Sequence, residues 1–211
     1  MKAFGKTVGK TVVFCLVMML MCSFVYPLAL TGVSQLTMKA KADGSKVDKD
    51  GNLTTDTKEA VGSALIGQDF TEDCYFQGRV SAVNYNTYTE EQKESGEYAG
   101  VASGSYNYAN SNPELKERME KDLEQFLKEH PGVKAEDVPA ELLTASGLDP
   151  HISPESAEVQ IPTVAKNSGL SEEEVKKIVE ENTEKKTLGV FGEERVNVLG
   201  CNLDIAAAMG K

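Results

Sequence analysis

The sequence predicts an α+β chain: a single N-terminal transmembrane helix followed by one extracytoplasmic α+β domain. Three observations carry that reading. Thr11 to Leu30 is a run of twenty uncharged, mostly apolar residues behind Lys2, Lys6 and Lys10. Several later segments open on helix caps and carry one apolar stripe each. Short apolar runs between glycines begin a compact domain, and Val196 to Leu199 reads as its closing strand.

At about 1.5 Å per residue the apolar run is roughly 30 Å long, the thickness of a bilayer core. The three lysines before it place the N-terminus in the cytoplasm by the positive-inside rule. Residues 1–10 are then a basic flank, 11–35 the helix, 36–59 a linker and 60–211 the outer domain. Pro27 predicts a kink or an early helix end, with Tyr26 at headgroup level. The alternative is a signal peptide cleaved at Ala40-Lys41-Ala42. An h-region is typically about 7–15 residues, shorter than this run. Either way the domain lies outside the cytoplasm.

Met38 to Lys58 is polar and turn-rich, as a linker should be. Asp48 to Asn52 faintly resembles a calcium loop. The EF-hand spacing fails at Lys46 and at Thr57, so a turn is expected. Ala60 to Phe70 and Tyr75 to Ala82 begin the compact domain. Residues 84–112, rich in Tyr, Asn, Ser and Gly, read as a long irregular segment, either a packed Ω-loop or a contact surface. Asn112 and Pro113 then cap and open a helix whose stripe is Leu115, Met119, Leu123, Phe126 and Leu127. It stops at His130-Pro131-Gly132, with His130 as a cap. A short helix is expected within Pro139 to Ala145. Ser153-Pro154 opens another, interrupted by Pro162 and ending near Ser168-Gly169. Ser171 and Glu174 form a capping box for the next, which buries Val175, Ile178 and Val179. Val196 to Leu199 reads as a closing strand.

Composition excludes some functions. Acidic residues outnumber basic ones 33 to 22, for a net charge of −11. Five lysines and no acid fall in residues 1–42, which leaves 17 basic against 33 acidic residues beyond. That balance argues against nucleic acid as a partner. With two histidines, a His-rich metal site is excluded, and no metal ligands are assigned. Cys15 and Cys22 sit in the apolar run as small apolar residues, while Cys74 and Cys201 could pair in the outer domain. Gly5-Lys6-Thr7 and Gly9-Lys10-Thr11 lack the P-loop spacing. Gly62 to Gly67 has it, but Gln68 and Asp69 replace the phosphate-binding Lys and magnesium-binding Ser/Thr. Asp149, His151 and Ser153 are the side-chain types of a hydrolase triad. Within five residues they cannot easily converge, and a tight turn with Ser153 capping the next helix is the better reading. No catalytic residue is assigned.

Several segments together resemble the C subunit of the Kdp-type potassium-transporting ATPase. They are Tyr26-Pro27-Leu28 with Thr31-Gly32, Gly62 to Gln68 with Phe70, and Tyr75-Phe76 with Gly78-Arg79 and Ser81-Ala82. Asn112-Pro113-Glu114-Leu115 follows, then the most distinctive piece, Thr144 to Pro154, which contains Asp149-Pro150-His151 and Ser153. Ala157, Gln160, Val164-Ala165, Leu188-Gly189, Gly192-Glu193, Val196 to Leu199 (with Asn197) and Asn202-Leu203 complete the set. The resemblance covers about 20–40 and 60–205. This chain is two residues short in the Thr-Ala-Ser-Gly run, has Val80 where Pro is common and Ser105-Tyr106 where Gly-Ser is common, and carries Pro162 inside a helix.

The resemblance implies a non-catalytic accessory subunit of an ATP-driven potassium importer, supporting assembly and raising the ATP affinity of a P-type ATPase subunit. It implies two protein partners, that ATPase subunit and a potassium-conducting subunit, besides membrane lipid. ATP and potassium would be used by the complex, and no cofactor is assigned to this chain. Tyr26, Pro27, Gly67, Gln68, Gly78, Arg79, Asn112, Pro113, Asp149, Pro150, His151, Ser153 and Asn197 are the motif residues expected to serve structure or an interface. The rivals are a free-standing membrane-anchored binding or sensor module and a secreted hydrolase using Asp149, His151 and Ser153.

Overall fold

The computed structural model describes residues 2–96 and 100–210. It opens with α1 (Lys2–Leu20), a π-helical turn (Met21–Val25) and α2 (Tyr26–Thr37), which run as one helix. Phe4–Thr37, 34 residues, is long and apolar enough to cross a membrane, and its most apolar stretch buries nothing against the rest of the chain. Pro27 neither ends this helix nor stands in a regular turn. It lacks an N–H and crowds the carbonyl four residues back, and the turn just before it widens so that Tyr26 N–H bonds to Met21 O. A π-bulge absorbs such a defect while the helix continues.

The stretch expected as a linker, 36–59, is folded. After a break at Met38 (φ −147°) comes the short α3 (Lys39–Ala42), then β1 (Lys46–Val47). This strand pairs antiparallel with β2 (Gly62–Ser63), Lys46 opposite Ser63. Ser45 and Val47 are buried, which is what ties the segment down. Asp48 Oδ1 accepts the backbone N–H groups of Asp50 and Asn52, both at 2.9 Å, so the calcium-like segment closes as an Asx turn.

The second sheet has three strands in the order β3 (His151–Ile152), β5 (Arg195–Asn197), β4 (Thr183–Glu184), all antiparallel. Around it lie α5 (Pro113–Glu129), α6 (Ala140–Leu143), α7 (Pro154–Glu158), α8 (Ile161–Ser168), α9 (Glu172–Glu181) and α10 (Val198–Ala208). Phe76, Phe126, Leu142, Ile152, Ile161, Val164, Val175, Val196 and Ile205 form the core they share. Pro162 stands in the first turn of α8, after α7 has ended at Glu158. The expected interrupted helix is therefore two helices, with proline where its missing N–H costs nothing.

The caps follow the sequence. Asn112 accepts from Glu114 N–H, Ser153 from Ser156 N–H, and Ser171 with Glu174 forms a complete capping box. Val175 and Val179 are buried, and Ile178 packs against the core. The closing strand is shorter than expected. It stops at Asn197, whose side chain accepts Gly200 N–H and starts α10, so Val198 and Leu199 are helical. Cys74 and Cys201 are both buried and no disulfide joins them. Burial pushes the Cys201 thiol up to about 12.

Of the 84–112 segment, residues 97–99 lie outside the described residues. The rest contains α4 (Glu90–Ser95), capped by Thr89 and Gln92 as a capping box. Asn86 and Ala102 exchange two hydrogen bonds of 3.0 Å, and Arg118 lies over the Tyr106 ring, 5.5 Å from its centroid.

Candidate functional site

Thr144–Pro154 contains β3 of the second sheet and touches several of the other motif residues. Gly67 N–H donates to Leu148 O at 2.9 Å. Val198 N–H donates to Pro150 O at 3.1 Å. Asn197 Nδ2–H donates to Ala64 O at 3.0 Å. Segments around 62–68, 144–154 and 196–202, far apart in sequence, thus meet through two main-chain bonds and one bond from the Asn197 side chain to a main-chain oxygen. Gly67 shows why its residue type matters, since a Cβ there would stand 2.5 Å from Asp149 O. Gly78 is similar, its Cβ position 2.6 Å from the Tyr85 hydroxyl. That hydroxyl donates to Arg79 O at 2.5 Å. Burial, with Asp149 and Asp69 nearby, raises the Tyr85 phenol to about 12.

The charged centre is Arg79, Asp149 and His151. Arg79 Nη1 stands 2.9 Å from Asp149 Oδ2, and its Nη2 donates to Thr144 O at 3.3 Å. Asp149 Oδ1 accepts His151 N–H at 3.0 Å. The His151 ring, that backbone N–H and the Arg79 guanidinium hold the Asp149 carboxyl down at about 2 against the cost of its burial. Ring Nδ1 is 3.7 Å from Oδ1, longer than a full hydrogen bond, so the geometry rests on the two shorter contacts. On its other side His151 Nε2 is 3.9 Å from Glu184 Oε1, linking β3 to β4 across β5.

These side chains line a cleft of about 640 Å³, shared with Glu141, Lys186, Glu193 and Arg195. Both cations and carboxylates line it. Ser153 Oγ donates to Ser156 Oγ (3.0 Å) and accepts Ser156 N–H (3.1 Å). Its hydroxyl is engaged in the cap of α7 and not with His151, and its own N–H donates to Glu141 at 2.8 Å. A nucleophile–base pair needs that missing contact. Among the described residues no group of three or more His, Cys, Asp and Glu is placed to hold a metal ion. The arrangement is an ion-paired joint that clamps three segments.

The other motif residues fall elsewhere. Gln68 donates to Val61 O at 3.1 Å, and its carboxamide fills the space over Gly62. Asn112 and Pro113 start α5, and Tyr26 and Pro27 lie in the N-terminal helix. Gln160 and Asn202 carry more structure than their place in the motif set foretells. Both are buried. Asn202 bonds both main-chain groups of Phe76 (2.8 and 2.9 Å), and Gln160 both of Gln77 (2.8 and 3.2 Å). Two carboxamides thereby do for 76–77 what a neighbouring strand would do.

The family model for KdpC, described as K+-transporting ATPase, c chain, matches residues 8–207. The chain is 53% identical over 212 residues to the potassium-transporting ATPase KdpC subunit of Clostridium kluyveri, covering 100% of this chain and 98% of that one. Identity to the KdpC subunit of Clostridioides difficile is 51% (97% and 99% covered) and to that of Caldanaerobacter subterraneus 44% (98% of each). A match that spans the long apolar helix and the clamped domain alike leaves one assignment: the chain belongs to the KdpC family, the c chains of K+-transporting ATPases.

Proposed function

We propose that the chain is the accessory subunit of an ATP-driven potassium importer, crossing the membrane once with its N-terminus in the cytoplasm. The observation that carries this reading is the family match across 8–207, helix and domain together. The orientation rests on Lys2, Lys6 and Lys10 preceding the apolar run. On this reading ATP hydrolysis belongs to a P-type ATPase subunit and conduction to a potassium-conducting subunit. The N-terminal helix docks against the latter, and the acidic domain stands at its outer mouth. The excess of 33 acids over 17 bases beyond residue 42 raises the local cation concentration there only within a Debye length of about 8 Å.

A rise in the ATPase subunit's ATP affinity, on the same reading, is a coupling through the membrane helix and not a nucleotide contact. Two considerations support this: Gln68 and Asp69 stand where a phosphate-binding loop needs Lys and Ser/Thr, and the proposed orientation turns the domain away from cytoplasmic ATP. The test is a mild-detergent pull-down of the tagged full-length chain from its native membrane. Recovery of a P-type ATPase and a large potassium-conducting protein in fixed ratio is expected. Recovery of the chain alone, or shortened at Ala42, overturns the reading.

A further inference from the structure

Residues 11–38 carry no charge. In helical rise they span about 42 Å, the hydrocarbon core plus both headgroup layers. Lys39 and Lys41, both exposed, are the first charges beyond, and the helix breaks at Met38 just before them. The domain begins at once. Ser45 N–H donates to Ala40 O (2.9 Å), Ala64 N–H to Ser45 O (3.0 Å), and Ser63 Oγ–H to Gly44 O (2.7 Å). Gln35 also donates to Asp43 across the break, at 2.8 Å. The 61–66 segment therefore hangs directly on the end of the helix.

Four large apolar side chains stand exposed on this part of the domain: Leu53, Val61, Leu65 (63% exposed) and Ile66. Single exposed apolar residues mean little. These four belong to one small unit, since Val61 precedes β2, Ile66 just after Leu65 bridges back to Ser63 of β2, and Leu53 bridges to Val47 of β1. The charge changes here too. Residues 39–58 hold five lysines and four aspartates, whereas the rest of the domain is strongly acidic.

We infer that this face rests on the lipid surface. Leu53, Val61, Leu65 and Ile66 enter the headgroup–acyl boundary, and Lys39 and Lys41 lie among the phosphates. An apolar strip with flanking lysines is the pattern of interfacial binding, and continuity with the helix puts it at that depth. The inference rests on the helix crossing the membrane, as proposed above. It makes the domain a body seated on the bilayer, not one swinging on a tether.

The chain contains no tryptophan, so one introduced indole is an unambiguous reporter. Full-length Leu65→Trp, Ile66→Trp and Lys166→Trp chains are reconstituted in phosphatidylcholine–phosphatidylglycerol vesicles with and without brominated acyl chains. Leu65 and Ile66 are exposed, so neither substitution disturbs the core. Fluorescence from positions 65 and 66 is expected to be quenched strongly, and more so as phosphatidylglycerol increases, while the Lys166→Trp chain, whose reporter sits on α8, stays bright. An alkali-resistant, membrane-integrated chain unquenched at 65 and 66 overturns the inference and leaves the subunit reading intact. Quenching in the isolated chain that vanishes in the co-purified complex also overturns it, because a partner subunit then covers the face. A chain that alkali strips from the vesicles removes both the membrane-crossing reading and this one.

Discussion

Arg79 and Asp149, 70 residues apart in sequence, meet with Nη1 2.9 Å from Oδ2, and the pair joins the start of the domain to the 144–154 segment. Both side chains are more than two-thirds covered, so removing one strands its partner in a poorly solvated site. Arg79→Ala or Asp149→Ala is expected to cost about 1–3 kcal/mol. The double variant should cost less than the sum, with a coupling of about 1 kcal/mol or more. Urea unfolding of the full-length chain, followed by circular dichroism, measures the cycle. Strict additivity would mean the pair contributes nothing as a pair.

Asp149 also sets an acid limit. Its carboxyl titrates at about 2 when folded, below the usual value near 3.9 of an unfolded aspartate. A depressed folded value means the contribution is complete above pH ~4 and is lost as pH falls toward ~2. After screening at this partly exposed site it amounts to about 1–2 kcal/mol. Stability measured from pH 5 to 2 should fall less steeply in Asp149→Asn than in the parent chain. Parallel curves would show that other carboxylates carry the whole acid transition.

Gly67 is a packing constraint. A methyl group there meets Asp149 O at 2.5 Å and Tyr85 Cε1 at 2.6 Å, and a main-chain oxygen held by the clamp cannot step aside. Gly67→Ala is expected to destabilise the domain by about 2–4 kcal/mol. Gly132→Ala, with nothing within 4 Å of the added carbon, should leave stability within about 0.5 kcal/mol. Thermal unfolding of the two variants side by side decides the point, and equal midpoints would refute it.

How much of this was legible in the sequence depends on the range of the interactions. Caps are local, and Asn112, Ser153 and Ser171 all do what their neighbours indicate. The Val196–Leu199 reading went half astray because α10 is apolar over most of its surface, so no stripe announced a helix. Strands of two or three residues leave no alternation to read. Their pairing is fixed by partners outside any local window, such as Asn197 opposite His151. The 36–59 stretch looked like linker because only Ser45 and Val47 anchor it among polar neighbours. Of the candidate site, the motifs leave Gly67, Asp149 and Asn197 in three separate stretches of sequence, and only the folded chain shows that those stretches meet.

His130 is expected to make the domain sensitive to mild acid. Its backbone caps α5, its ring stacks on Phe126 with centroids 4.3 Å apart, and the side chain is buried with neither ring nitrogen hydrogen-bonded. Burial lowers its pKa, partly opposed by Glu129 and Asp73. The unfolded chain therefore takes up a proton near pH 6.5 that the folded chain refuses. Stability is unaffected well above that pH and is lost as pH falls below it. His130→Leu should remove this loss, so that the variant gains on the parent as pH drops from 7 to 5. A constant difference between the two over that range would show that the ring does not stay neutral in the folded state.

Asn202 and Gln160 provide the strongest expectation for the core. Each is buried and each bonds both the donor and the acceptor of one residue, Phe76 for Asn202 and Gln77 for Gln160. Truncation of Asn202 leaves two main-chain groups of Phe76, itself 1% exposed, without those partners, and truncation of Gln160 does the same to the partly buried groups of Gln77. An unsatisfied buried group costs about 1–3 kcal/mol, so Asn202→Ala and Gln160→Ala should each lose about 2–5 kcal/mol. Asn202→Asp is the sharper variant, because it keeps the shape and the acceptor for Phe76 N–H but replaces the donor facing Phe76 O with a second oxygen. It should be at least as damaging as alanine at pH 7 and recover in part at pH 4, where a protonated carboxyl can donate again. Urea unfolding at both pH values tests this, and a variant as stable as the parent at pH 7 would show that 76–77 is held by its side chains alone.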